Sequence, residues 1–199
     1  MTEIEPGVFL FRDALTEEAK AIILDGVATV AEQSPFRRYR VKTGQMQIDM
    51  TNCGALGWVA DTRGYRYEPV DPMTNKPWPS MPGGWFNLAL CFARLAGFPE
   101  FGPDACLINR YQGYAKLGLH VDKDEAPEVR DQPIVSFSFG AAARFTLGGL
   151  KRSDPISELL LEDGDVLVMG GPGRLRYHGI RRVMTKDRDR INLTFRRAR

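Results

Sequence analysis

Histidine is close to absent from this chain: its 199 residues contain only His120 and His178. Any site that relies on imidazole must use one or both of these positions. Cysteine is scarce too. Cys53, Cys91 and Cys106 are odd in number and widely spaced, which argues against a disulfide framework or a zinc knuckle and leaves reduced, mostly buried thiols as the expectation. No apolar run approaches the length of a membrane span, and Met1-Thr2-Glu3-Ile4-Glu5-Pro6 is acidic and lacks the apolar core of a secretion signal. No membrane partner is expected, and the cytoplasm is the expected location. Repeats and low-complexity tracts are lacking, and a net charge of +2 sets up no field that demands a polyanionic partner.

What is there fits a single domain with a full-sized core, with 43% hydrophobic and 26% charged residues. Basic groups occur at Arg37-Arg38-Tyr39-Arg40-Val41-Lys42, Lys151-Arg152, Arg174-Leu175-Arg176 and Arg181-Arg182. Singly each reads as a solvated face, and together they permit a nucleic-acid partner without requiring one.

Residues Thr16 to Gln33 carry helical spacing in Ala19, Ile22, Ile23, Gly26, Val27 and Val30, with Thr16 as N-cap and a stop at Ser34-Pro35. Residues Met50 to Gly84 are rich in Gly, Pro, Asn and aromatics, so a long irregular segment is expected there. A second helix is expected over Trp85 to Ala96, ending at Gly97. From Ala105 onward the pattern changes to short strands: Ala105 to Tyr111, one at His120, Pro133 to Phe139, Arg144 to Leu147, Asp165 to Met169, one at His178, and Arg190 to Arg196. Many short strands at such spacing predict a mainly β (α+β) fold with N-terminal helices and a double-sheet jelly roll.

His120-Val121-Asp122 would place both polar side chains on one face of a strand. His178 follows a Gly-rich turn at Gly170, Gly171 and Gly173, where a neighbouring strand could bring its ring beside that pair. Two histidines and one carboxylate on one face of an iron form the facial triad of non-haem Fe(II) oxygenases, although a His-x-Asp alone is far more often a surface strand pair than a metal site. The last strand, Arg190-Ile191-Asn192-Leu193-Thr194-Phe195-Arg196, alternates polar and apolar residues, the usual mark of one face in the core and one in water. Its two arginines could instead clamp a dicarboxylic acid with their planar forks. Their Cα atoms would stand about 20 Å apart on a straight strand, so a clamp needs a curved, closed pocket.

With these residues in place the chain resembles the AlkB family, Fe(II)- and 2-oxoglutarate-dependent dioxygenases that demethylate alkylated nucleobases. The resemblance is carried by Met50-Thr51-Asn52-Cys53-Gly54, Asp71-Pro72, Thr74-Asn75-Lys76-Pro77-Trp78-Pro79, Asp104 through Tyr111, His120-Val121-Asp122-Lys123-Asp124-Glu125, Gly148-Gly149-Leu150-Lys151-Arg152, Tyr177-His178-Gly179 and Asn192 through Arg196. It implies iron held by His120, Asp122 and His178, and 2-oxoglutarate paired with Arg190 and Arg196 and hydrogen-bonded by Asn109, Tyr111 and Asn192. It also implies one dioxygenase domain over 1–199: an N-terminal extension and helix (1–49), a nucleotide-recognition lid (50–84), a supporting helix (85–103) and a jelly-roll catalytic core (104–199). In that lid Trp58, Tyr65 and Tyr67 match substrate-contacting positions, while Asp124 and Arg152 match polar contacts near the base and flanking backbone.

The activity so implied is oxidative repair of 1-methyladenine- and 3-methylcytosine-type bases with O2, releasing formaldehyde, succinate and CO2. The implied partner is alkylated DNA, single-stranded favoured, with RNA as a further substrate, acted on by a monomer. A methylated base carries positive charge, so it gains cation–π attraction on Trp58 and electrostatic attraction to Asp124. It must also leave its stack to reach the iron. The chain departs from the family in a short Val183 to Asp189 link and in Met169 and Arg176, which stand where bulky aromatics are expected. Two alternatives remain open at this level: a 2-oxoglutarate oxygenase acting on a small molecule or protein side chain, and a non-catalytic jelly roll that binds nucleic acid.

Overall fold

Apolar side chains on alternate positions of the strands divide into two cores, one on each face of a large sheet. The computed structural model describes residues 1–42, 44–122 and 125–199. Its first half runs through β1 (Thr2–Glu5), β2 (Val8–Phe11), α1 (Glu17–Gln33), β3 (Arg40–Val41), β4 (Gly44–Gln45), β5 (Asp49–Gly54), β6 (Gly57–Asp61), β7 (Gly64–Glu68), β8 (Val70–Asp71), β9 (Lys76–Pro77) and α2 (Gly83–Leu95). Its second half runs through β10 (Ala105–Tyr111), β11 (Leu117–His120), β12 (Ile134–Gly140), β13 (Ala143–Leu147), β14 (Ser157–Leu161), β15 (Val166–Met169), β16 (His178–Val183) and β17 (Arg190–Arg196).

A seven-stranded antiparallel sheet in the order β1-β2-β15-β12-β17-β10-β5 faces a four-stranded sheet in the order β11-β16-β13-β14. This is the expected jelly roll. The helices cover the outer face of the larger sheet: Ile23, Val27 and Val30 of α1 and Trp85, Ala89 and Phe92 of α2 join Cys106, Ile108, Phe137, Leu193 and Phe195 in one core. Helix α1 starts where its cap predicts, with Thr16 Oγ1 accepting from the Ala19 amide at 3.2 Å. Gly26 lets the helices approach, since a Cβ there would stand 2.6 Å from the Trp85 ring.

Residues 50–84 are more regular than expected. Asp49–Gly54 is an edge strand of the large sheet, paired with β10 from Asp49↔Arg110 to Gly54↔Ala105. The chain then folds into the β6–β7 hairpin. Five of the six β5 residues are buried, so no polar alternation marks the strand. Beyond the hairpin, Asp71 receives Ser34 Oγ at 2.7 Å, Arg37 Nη2 at 2.8 Å and the Met73 amide at 2.8 Å. Arg37 also lies over the Trp78 ring at 5.4 Å, so the basic run 37–42 is in part internal rather than solvated.

Burial alone would raise the Asp71 carboxyl, but Arg37, Ser34 and the Met73 amide outweigh it and hold the group at about 2 instead of 3.8. A depressed carboxylate contributes stability that is full above its unfolded value and is lost as the pH falls through its folded value. Asp71→Ala is therefore expected to cost about 3 kcal/mol or more at neutral pH by stranding Arg37. In urea unfolding at stepped pH, the gap to the wild type should hold above about 4 and close towards about 2; a gap that does not change with pH would show that Asp71 acts by packing alone.

Candidate active site

Strand β11 ends at His120 and strand β16 begins at His178, and the two residues are register partners. The register sets their rings 4.5 Å apart, centroid to centroid. His120 Nδ1 lies 2.8 Å from the Gly118 carbonyl and His178 Nδ1 lies 3.0 Å from the Arg176 carbonyl. A carbonyl only accepts, so both Nδ1 atoms donate to the backbone and both Nε2 atoms are left to face the Asp122 carboxylate. Those Nε2 atoms lie 3.7 and 3.4 Å from the Asp122 carboxylate, and all three ligand atoms fall within 4.8 Å of one another.

Asp122 does not share a strand with His120 as the spacing predicted. It lies two residues past the end of β11, and a register irregularity interrupts that strand's pairing. Burial and the neighbouring His178 push the His120 imidazole down to about 4 against the pull of Asp122. The side chain keeps 35% exposure, which tempers the size of that shift but not its direction. Asp122 is buried, which would raise its carboxyl, yet Arg196 and the two imidazoles hold it well below the usual range. An ionised carboxylate facing two imidazole Nε2 atoms is the kind of donor set a divalent metal takes.

Two cavities meet at this cluster, and both are lined by Asn109, Leu117, His120, Asp122 and Arg196. The narrower one, about 70 Å³, also receives Tyr111, Ser136, Arg190, Asn192 and Thr194. The polar face of β17 is thus turned to an enclosed cavity and not to water, with Arg190 only 1% exposed. Its guanidinium donates to Ser138 Oγ at 2.8 Å and weakly to the Ala141 carbonyl at 3.4 Å, and no ion pair to it is found among the described residues. Burial pushes the Tyr111 hydroxyl up to about 12, against the effect of Arg190, so it stays a neutral donor. Asn192 donates to Ser136 Oγ and the Phe137 carbonyl at 2.7 and 2.9 Å, and accepts from Asn109 at 3.3 Å.

Of the six buried side-chain polar atoms without a hydrogen-bond partner among the described residues, four belong to this lining: Asn109 Oδ1, Asp122 Oδ2, Arg190 Nε and Arg196 Nε. Asp122 Oδ2 still has Arg196 Nη2 at 3.0 Å as an ion-pair partner. Such a concentration of unmet polar atoms, with a buried cation that has no ion pair among the described residues, fits a site shaped for an anionic ligand beside a metal.

The wider cavity, about 390 Å³, is walled by Met46, Ile48, Met50 and Leu107 and roofed by Trp58 and Tyr65 from the hairpin. Trp58 and Tyr65 stack with centroids 5.9 Å apart, and Tyr39 meets Trp58 edge-on at 5.6 Å. Asn52 holds both polar backbone groups of Trp58, at 3.0 and 3.1 Å. Tyr67 differs from its expected place: although it shares a face of β7 with Tyr65, it does not line this cavity, and its buried hydroxyl donates to Glu125 at 3.0 Å. Arg152 lines neither cavity; it donates to the Leu119 carbonyl at 2.8 Å, on the strand that leads to His120. Asp124 lies outside the described residues.

Sequence reasoning missed Ser136, Ser138, Thr194, Glu125 and Arg174. Arg174, read there as part of a solvated basic group, has a side chain only 2% exposed, and it pairs with Glu125, itself 1% exposed, at 3.0 Å. The signal was weak. Glu125 stood inside a recognised motif with no role attached.

Comparison with known proteins gives concordant matches. The model of the 2OG-Fe(II) oxygenase superfamily matches residues 7–196. The chain is 52% identical to the alpha-ketoglutarate-dependent dioxygenase AlkB of Escherichia coli (strain K12), over 96% of this chain and 90% of that protein. It is 41% identical to the AlkB homologue of Caulobacter vibrioides (strain NA1000 / CB15N), over 98% of this chain and 90% of that protein. The solved structure of OsALKBH1 superposes with a TM-score of 0.86 at 29% identity, covering 98% of this chain and all (100%) of that one.

Proposed function

The chain belongs to the 2OG-Fe(II) oxygenase superfamily and, within it, to the AlkB family, and from that premise we propose that its paired cavities demethylate 1-methyladenine- and 3-methylcytosine-type bases. It is an Fe(II)- and 2-oxoglutarate-dependent dioxygenase acting on alkylated nucleic acid. The observation that carries the finer reading is the shared wall: the cluster of His120, Asp122 and His178 lies where a polar, arginine-bearing cavity meets an apolar, aromatic-roofed one.

In this reading His120 Nε2, Asp122 and His178 Nε2 hold the iron. With O2 and 2-oxoglutarate it supplies the oxidation of the N-methyl group, released as formaldehyde alongside succinate and CO2. Arg190, deep in the narrow cavity, and Arg196, beside Asp122, take the two carboxylates of 2-oxoglutarate, and Asn109, Tyr111 and Asn192 complete its hydrogen bonds. Trp58 and Tyr65 hold the flipped base over the iron and exclude water from it. Asp124 supplies charge near the base, and Arg152, which donates to the Leu119 carbonyl, meets the flanking phosphate. Single-stranded DNA is the favoured form because it spares the cost of opening a duplex, with RNA as a further substrate. No helix among the described residues is long and apolar enough to cross a membrane; we place the protein in the cytoplasm as a monomer.

The decisive experiment is anaerobic reconstitution with Fe(II), then turnover on oligonucleotides carrying single methylated bases, read by mass spectrometry. Stacking on an aromatic contributes about 1 to 3 kcal/mol per base, so Trp58→Ala is expected to weaken a 1-methyladenine oligonucleotide by roughly fivefold to a hundredfold. Succinate formed without oligonucleotide should change far less. Equal loss of both would make Trp58 structural, and unaltered affinity and repair would promote a small-molecule substrate.

A further inference from the structure

The backbone that carries Asp122 has no strand partner to hold it. Strand β11 stops at His120, yet the Asp122 carboxylate must face two imidazoles from a fixed position. What holds it comes from the other side of the site. Arg174 Nη1 donates to the Asp122 carbonyl at 2.8 Å, and its Nε donates to the Gln132 carbonyl at 3.1 Å. Its Nη2 stands 3.0 Å from Glu125 Oε2, off the line of a hydrogen bond but within ion-pair distance. The other Glu125 oxygen takes Arg196 Nη1 at 3.1 Å and the Tyr67 hydroxyl at 3.0 Å, and Arg196 Nη2 returns to Asp122 at 3.0 Å.

These contacts close a ring of two carboxylates and two guanidiniums, every side chain of it 10% exposed or less. A fully buried charge is tolerated only when paired, and this ring is neutral as it stands. A divalent metal and a dianionic cosubstrate would add no net charge to it. We propose that Arg174 and Glu125 are positioning residues: Arg174 fixes the Asp122 backbone and the Glu125 carboxylate, and Glu125 fixes the Arg196 guanidinium at the angle at which it receives 2-oxoglutarate. Tyr67 ties the hairpin that roofs the base cavity to the same carboxylate. Neither Arg174 nor Glu125 lines either cavity, so their action on the cosubstrate passes through Arg196 and Asp122.

This rests on the reading of Arg196 as a carboxylate clamp. A purely architectural ion pair predicts something different, because replacing a buried pair member by an apolar side chain that still packs changes stability without changing what a neighbouring site binds. The test uses full-length Arg174→Met and Glu125→Gln, with Arg196→Ala as control. 2-Oxoglutarate is titrated anaerobically into the Fe(II) protein, following the metal-to-ligand charge-transfer absorption, and thermal unfolding is measured alongside.

The expected result for Arg174→Met is a loss of 2-oxoglutarate affinity of about tenfold to a hundredfold with a displaced absorption band, the scale of effect seen for groups that orient metal ligands. Glu125→Gln keeps the shape and an acceptor for Tyr67 but loses the charge, and is expected to lower the affinity in the same direction. Folded Arg174→Met with wild-type affinity and band would overturn the proposal. If Arg174→Met does not fold, Glu125→Gln decides, and wild-type affinity there overturns it. Unaltered affinity in Arg196→Ala would remove the clamp itself, a failure distinguishable from loss in Arg196→Ala without loss in Arg174→Met.

Discussion

His178→Ala is expected to abolish repair of methylated oligonucleotides while leaving the protein folded. The reasoning starts from scarcity: the chain has two histidines, both already in the cluster, so no other imidazole can take the lost position. His178 has spent Nδ1 on the Arg176 carbonyl, which leaves Nε2 as the atom facing Asp122 at 3.4 Å. In the proposed ligand set, removing it takes away one ligand of three, and the Lewis-acid and redox contribution of a correctly held metal is worth several kcal/mol of barrier. A fall of about a thousandfold or more follows from a loss of about 4 kcal/mol. The fold should survive, because the ring's apolar contact is chiefly with Phe145, at 5.9 Å, and the register of β16 with β13 and β11 is set by backbone pairing. The measurements are formaldehyde release under limiting Fe(II) and circular dichroism of the apoprotein. Near-native turnover would remove His178 from the ligand set.

The strand whose polar face lines the narrow cavity was legible because its two faces differ. Ile191, Leu193 and Phe195 alternate with Arg190, Asn192, Thr194 and Arg196, and the observed β17 has the predicted bounds. The periodicity could not say that the polar face looks into a cavity, since water and a polar cavity impose the same alternation. Strand β5 stayed hidden for the opposite reason: sandwiched between a core and the cavity wall, Asp49–Gly54 has no exposed face to alternate with. The β1–β2 hairpin was missed although Pro6-Gly7 marks its turn, with Gly7 at φ +76°. Strand β14 was missed because Ser-Glu-Leu-Leu-Leu reads equally well as helix. Arg174 shows the deeper limit. Its partner carboxylate is 49 positions earlier in the chain, and no local pattern separates a buried, paired arginine from the solvated ones beside it.

The two arginines of the proposed clamp should separate in stability while agreeing in function. Losing a partner from a desolvated charge pair costs about 2 to 5 kcal/mol, so Arg196→Ala and Arg190→Met are each expected to weaken 2-oxoglutarate by roughly thirtyfold or more. Their effects on the ligand-free protein differ because their surroundings do. Arg196 neutralises Asp122 at 3.0 Å and Glu125 at 3.1 Å, so its removal strands buried carboxylates and should lower stability by about 3 to 5 kcal/mol. Arg190 has no ion pair among the described residues; it donates to Ser138 and the Ala141 carbonyl, and burial pulls its guanidinium down against Tyr111 and the more distant Asp165 and Asp163. Replacing that cation with the apolar Met side chain removes a buried charge that has no direct ion-pair partner among the described residues, so the midpoint of unfolding should stay level or rise, the pattern of a site that gives up stability for binding. Urea unfolding of both variants without ligand, beside 2-oxoglutarate titration of each, tests the pair. If Arg190→Met were as destabilised as Arg196→Ala, Arg190 would be a structural cation with a partner of its own, and the dicarboxylate would have to be held by Arg196 alone.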